Sequence, residues 1–178
     1  MNEKSLSKFI SLILRHKPES IGIKLDKNGW ADVNELLKGV KINFSTLERI
    51  VRENDKQRFS FNEDKTKIRA NQGHSLKVDV ELEEKIPPQF LYHGTIERFA
   101  KSIDAQGILK GNRLYVHLSS NIETAESVAA RRTGEPVIYK ISAQIMHRDG
   151  CKFFQSKNGV WLTEFISPKY FCRLQQKT

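Results

Sequence analysis

The sequence predicts an α+β chain in two lobes, and three observations carry that prediction. Apolar residues recur at helical spacing through the first part of the chain and fall into short strand-like runs toward its end. Between these regimes lies an acidic stretch, Lys77 to Pro88, that closes on Pro87-Pro88 and suits a linker better than a core element. The lobes are therefore expected at residues 1–86 and 87–178.

Leu6, Phe9, Ile10, Ile13 and Leu14 follow the i, i+3, i+4, i+7 pattern of an amphipathic helix that Pro18 ends by restricting Lys17. Arg15 and His16 then fall in its last turn, Arg15 pointing away from the apolar stripe and His16 at its edge. Asn28-Gly29 signals a turn, and Asp32 caps a second helix on Val33, Leu36, Leu37 and Val40. Ser45 and Glu48 have capping-box spacing and open a third helix on Leu47, Ile50 and Val51. Arg58 to Phe61 and Ile68 to Ala70 read as two strands around a polar turn. Helices followed by a hairpin make the first lobe winged-helix-like.

In the second lobe Phe90-Leu91-Tyr92 reads as a buried strand running into His93-Gly94-Thr95. Ile96, Phe99, Ala100 and Ile103 give a helix stopped at Gly107. Leu114, Val116 and Leu118 alternate with Tyr115, His117 and Ser119, so that one strand face is apolar and the other is available for ligand contacts. Ala125, Val128, Ala129 and Arg132 share one side of a further helix, which turns Arg132 inward, toward an anion or a cleft, while Arg131 faces out. Strands are expected at 137–141, 151–154, 160–166 and 170–174, with Asn158-Gly159 as a hairpin turn.

A formal net charge of +9, spread over both halves without a Lys/Arg tail, favours a folded basic surface and an anionic partner. No run is long enough to span a membrane and the start lacks a signal-type apolar stretch, so a soluble, cytoplasmic chain is expected. Cys151 and Cys172 lack metal-type spacing and read as buried thiols, and the five histidines are scattered, so no metal site is expected. There is no P-loop, no GxGxxG after a strand and no HExxH.

The candidate chemistry centres on Ile68-Arg69-Ala70-Asn71-Gln72-Gly73-His74-Ser75, which strings hydrogen-bonding side chains together and offers almost nothing to a core. Arg69 brings a planar fork of N–H groups suited to phosphate, Gly73 permits a backbone conformation closed to other residues, and His74 and Ser75 add short-range donors. A polar turn after a hairpin would look the same, so the reading gains weight only from matching cations elsewhere.

Six stretches together resemble one family in order and over nearly the whole chain: Leu6 to His16, Leu25 to Trp30, Ile68 to Ser75, Leu91 to Thr95, Val116 to Ser119, and Asp149 to Val160. On these the chain is identified as a member of the RNA 2'-phosphotransferases of the KptA type. That resemblance implies a winged-helix-like RNA lobe followed by an ADP-ribosyltransferase-like, β-rich lobe. It also implies that NAD is consumed while a 2'-phosphate is removed from a tRNA-like RNA, leaving an RNA 2'-hydroxyl, nicotinamide and ADP-ribose 1'',2''-cyclic phosphate. The family's Arg-His-Arg-Arg set maps onto Arg15, His16, Arg69 and Arg132, with the arginines clamping phosphate and His16 moving a proton or contacting phosphate. Its NAD pattern maps onto His93, Gly94, Thr95, His117, Ser119 and Ser120, with Gly94 allowing close backbone approach. Val160 falls where many ADP-ribosyltransferases carry a catalytic Glu. Thr133, Lys152 and Gln155 depart from the family pattern and bear on substrate preference. A monomer is expected.

Two rivals share these features: an ADP-ribosyltransferase that leaves ADP-ribose on RNA or DNA phosphate ends, and a nucleic-acid-binding protein that only senses NAD. The complete Arg-His-Arg-Arg set argues against the second.

Overall fold

Backbone contacts divide the chain into two units, Met1–Leu82 and Glu83–Thr178. The computed structural model describes residues 2–54 and 57–175. Sequence composition places the boundary at 86/87 instead, because the acidic stretch reads as a linker. Part of that stretch, Glu83–Glu84, is a strand that pairs within the second unit.

The first unit opens on α1 (Glu3–Arg15), whose N-terminus is capped by the Asn2 side chain accepting from the Ser5 amide. Leu6, Ile10, Ile13 and Leu14 are buried on one face, each contributing roughly 1.5–3 kcal/mol by leaving water. His16 is the C-cap, and Pro18 begins a separate 3-10 turn rather than extending the helix. β1 (Ala31–Asp32) leads into α2 (Val33–Val40), where Asp32 Oδ1 accepts from the Glu35 amide as its residue type predicts.

α3 (Phe44–Arg52) departs from expectation at its cap. Asn43, not Ser45, is the capping residue: its Oδ1 accepts from the Thr46 amide, and the Ser45 hydroxyl donates to that same oxygen. β2 (Phe59–Phe61) and β3 (Lys67–Ala70) form the expected hairpin, and the antiparallel sheet runs β1-β3-β2. Strand β3 is thus central. Ile68 and Ala70 join the core of this unit, so the stretch beginning at Ile68 offers that core more than its polarity suggests.

The second unit comprises β4 (Glu83–Glu84), β5 (Leu91–Ile96), α4 (Glu97–Gln106), β6 (Ile108–Leu109), β7 (Val116–Leu118), α5 (Ile122–Ala129), β8 (Pro136–Ile141), α6 (Ala143–Arg148), β9 (Phe154–Gln155), β10 (Trp161–Thr163), β11 (Phe165–Ile166) and β12 (Phe171–Arg173). Its pairings are antiparallel, in orders β4-β9-β10-β7, β12-β8-β5 and β11-β6. The two larger sheets meet where Tyr92 and Ser119 exchange both backbone hydrogen bonds, at 2.9 and 2.8 Å. Leu91, Tyr139, Phe153, Trp161 and Ile166 lie in the core that these sheets enclose.

The expected strand 160–166 is two short strands on different partners, β10 against β7 and β9, and β11 against β6. The 151–154 run pairs only from Phe154, and α6 is not legible in the sequence because its six residues carry too little periodicity. The thiols differ from expectation too, Cys151 being half-buried and Cys172 exposed. Among the described residues no helix is long and apolar enough to cross a membrane, and no three His, Cys, Asp or Glu residues are grouped to hold a metal ion.

Candidate functional site

In the first unit the sequence around Gly73 folds back onto the end of α1. Gly73 takes φ +87°, a conformation that side chains disfavour. The Arg15 guanidinium lies across it, with Nη1 3.6 Å from where a Cβ would stand. Ser75 completes the clasp: its amide donates to the Arg15 carbonyl at 3.1 Å, and its hydroxyl lies 2.9 Å from His16 Nδ1.

Arg69 sits on the face of β3 opposite Ile68 and Ala70, the face that would meet water if nothing covered it. The 26–30 turn and residues 79–81 cover it. Asp26 Oδ1 accepts from the amides of Asn28 and Trp30, shaping the turn that brings the Trp30 ring within 4.4 Å of the Arg69 guanidinium. Asp79 donates its amide to the Lys27 carbonyl and accepts from Asn28 Nδ2. Arg69 Nη1 then donates to Glu81 Oε2 at 2.8 Å and to the Asn28 carbonyl at 3.4 Å. The Arg69 side chain is only 8 % exposed.

His74 is 1 % exposed, and its Nε2 has no hydrogen-bond partner among the described residues. Burial, then the charges of Arg15, His16 and Arg69, push its pKa down to about 4. It is therefore a neutral imidazole amid cations at physiological pH. Gly29 takes φ +78°, a conformation that side chains disfavour, and lies against the ring, with His74 Nε2 at ordinary contact distance, 3.4 Å, from where a Cβ would stand.

The second unit holds the other candidate residues. His93 lies on β5 with Nδ1 3.1 Å from the His117 carbonyl, and His117 Nδ1 lies 3.0 Å from the Tyr115 carbonyl. A carbonyl only accepts, so in both rings Nδ1 carries the proton. Burial above all, with help from Arg132 and Arg113, lowers the His93 pKa against the opposing effect of the hydrogen bond it donates to the His117 carbonyl. A neutral His93 consequently presents Nε2 as an acceptor.

Thr95 is buried in the same strand, Ser119 is tied to Tyr92 through its backbone, and Ser120 is exposed. Gly94 has a packing reason for being glycine. A Cβ there would run into the Ala125 carbonyl group, with the carbonyl carbon 2.7 Å away, so the close approach it permits is that of α5 to β5.

Arg132 corrects the helical-face argument. Helix α5 ends at Ala129, and Arg132 lies beyond it, exposed, with its guanidinium 5.1 Å from the Phe99 ring centre. Phe99, rather than an inward helix face, is what holds it.

Two guanidinium groups and an imidazole on one clasp suit an anion with several oxygens, phosphate above all. A family model described as "RNA 2'-phosphotransferase, Tpt1 / KptA family" matches residues 1–165. A curated relative from Fusobacterium nucleatum subsp. nucleatum is 53% identical over 174 residues, covering 95% of this chain and 97% of the relative. The chain belongs to the Tpt1 / KptA family. Relatives from Flavobacterium johnsoniae (53% over 178 residues; 96% of this chain, 97% of the relative) and Hahella chejuensis (48% over 176 residues; 96% and 94%) extend the match. All three carry the name "Probable RNA 2'-phosphotransferase".

Of the family-derived set, Arg15, His16 and Arg69 lie in the first unit, and Arg132, His93, Gly94, Thr95, His117, Ser119 and Ser120 in the second. In this Tpt1 / KptA chain no sequence pattern marks Trp30, Glu81 or Arg113 as a site residue, and His74 is marked only as a donor. Trp30 closes the Asn28-Gly29-Trp30 turn and could have been noticed there. Glu81 was hidden in the acidic stretch. Arg113, whose pKa partial desolvation and the charges of Arg132 and Arg131 lower, carried no local signal.

Proposed function

We propose that this chain removes a 2'-phosphate from RNA and consumes NAD in doing so, with a winged-helix-like RNA lobe and an ADP-ribosyltransferase-like NAD lobe. The observation that carries the reading is the clasp of Arg15, His16 and Arg69 around a buried, neutral His74.

In the first step a 2'-phosphate oxygen attacks the ribose carbon that bears nicotinamide. The C–N bond breaks and nicotinamide leaves with the electron pair, so its ring becomes neutral. In the second step the adjacent 2''-hydroxyl attacks the phosphorus and the bond to the RNA 2'-oxygen breaks. The hydroxyl proton is released and the RNA oxygen gains one, giving an RNA 2'-hydroxyl and ADP-ribose 1'',2''-cyclic phosphate.

Charge gathers on the phosphate oxygens in this second step, and preorganised guanidinium groups stabilise it. Arg15, Arg69 and Arg132 take that part. His16, held through Nδ1 by Ser75, moves the proton or contacts the phosphate. The neutral His93 accepts from a ribose hydroxyl of NAD, with His117, Thr95, Ser119 and Ser120 beside it. The RNA is tRNA-like and the setting cytoplasmic.

The test is an RNA with one internal, labelled 2'-phosphate, incubated with and without NAD and followed to products. NAD-dependent release of labelled ADP-ribose cyclic phosphate is expected, with ADP-ribosylated RNA accumulating in an Arg69→Ala variant. Wild-type protein that stops at ADP-ribosylated RNA is a one-step ADP-ribosyltransferase, and label that stays on unmodified RNA overturns the reading.

A further inference from the structure

The Arg69 guanidinium is held from one side. Both of its acceptors, Glu81 Oε2 and the Asn28 carbonyl, fall on Nη1, while Trp30 covers a face of the group. Among the described residues Nε and Nη2 have no acceptor. These two nitrogens form one edge of the fork, and such an edge grips two phosphate oxygens in parallel.

Glu81 is an unexpected residue to find so constrained. It is 59 % exposed and would be well solvated anywhere on the surface. Yet its backbone stands at φ +55°, in the left-handed region that a side chain disfavours by roughly 1–2 kcal/mol. Its amide donates to Asp79 Oδ1 at 2.9 Å, and Asp79 is itself tied to Lys27 and Asn28. A short, strained, hydrogen-bonded segment thus delivers one carboxylate to one nitrogen.

We infer that Glu81 is a positioning residue for phosphoryl transfer: it fixes Nη1 of Arg69 so that the Nε–Nη2 edge faces the RNA 2'-phosphate. The inference rests on the proposed phosphate-clamping role of Arg69. A carboxylate that merely stood in for the substrate would be displaced by it, and its removal would tighten RNA binding. One that orients the fork leaves the gripping edge clear, and its removal loosens the geometry on which the transition state depends.

Glu81→Ala and Glu81→Gln proteins are compared with wild type, using the labelled RNA and NAD. Glu81→Ala is expected to lower kcat by about 10- to 100-fold, as loss of a supporting residue does, with KM for NAD unchanged and ADP-ribosylated RNA accumulating. Glu81→Gln keeps an acceptor oxygen and the side-chain shape, and recovers most of the loss. Nitrogen NMR of the arginine side chains gives a readout independent of turnover. The two Arg69 Nη groups stay distinct in wild type and Glu81→Gln, and average together in Glu81→Ala.

Wild-type kcat in Glu81→Ala, or a lowered KM for RNA, overturns the inference. So does an Arg69 signal that ignores the substitution. If wild type itself makes no NAD-dependent product, the functional reading fails, and the NMR comparison still decides whether Glu81 orders Arg69.

Discussion

Ser75 and Arg15 are joined by a backbone hydrogen bond of 3.1 Å, from the amide that follows His74 to the carbonyl that closes α1. The main chain makes this link, so it survives side-chain substitution at either residue. Only the Ser75 hydroxyl, 2.9 Å from His16 Nδ1, is removable. Ser75→Ala should leave the melting temperature nearly unchanged and slow phosphate removal by about 5- to 10-fold, the effect of one hydrogen bond of about 1 kcal/mol. Steady-state kinetics beside a melting curve measures both.

His74 ties stability to pH. Its folded pKa is about 4, against an ordinary 6.5. Between those values the unfolded chain binds a proton that the folded chain refuses, so acid favours unfolding. The contribution is complete above about pH 6.5, fades as pH falls toward 4, and amounts to about 3 kcal/mol. Denaturant midpoints at pH 7.5, 5.5 and 4.5 should fall more steeply for wild type than for His74→Phe. Equal slopes would remove His74 from the explanation.

Gly94 answers to α5. Alanine there puts a methyl group into backbone atoms of Ala125, and backbone cannot swing aside as a flexible side chain does. Gly94→Ala is expected to cost about 2–4 kcal/mol, seen as a lower unfolding midpoint even without NAD. A variant of normal stability that had lost only NAD binding would instead assign Gly94 to the ligand.

The cap of α3 separates two residues that look equally suited. Asn43→Ala should destabilise by about 1 kcal/mol, whereas Ser45→Ala should cost only a few tenths. Thermal denaturation of the two variants decides, and a reversed order would restore the capping-box reading.

These contrasts mark what can be read along a chain. Helical periodicity and the Asp32 cap act within a few residues, so α1 and α2 are legible from sequence. At α3 two cap-competent residues stand two positions apart, and the capping-box spacing of Ser45 and Glu48 points to the wrong one. The run 160–166 shows no sign of breaking, because β10 and β11 are told apart only by distant partners, β7 and β6. Likewise Arg15, His16 and Arg69 are marked by family resemblance, whereas Glu81 and Trp30 matter through contacts with Arg69 that fold, not proximity in sequence, creates. Helical periodicity misplaces Arg132, because α5 stops three residues before it.

The Trp30–Arg69 stack also gives the molecule an optical handle. The chain has two tryptophans, one in each unit: Trp30 against a guanidinium and Trp161 in an apolar core. Indole fluorescence responds to a neighbouring charge. With Trp161 replaced by Phe, emission from Trp30 is therefore expected to report in real time any anion that reaches the proposed clamp at Arg69.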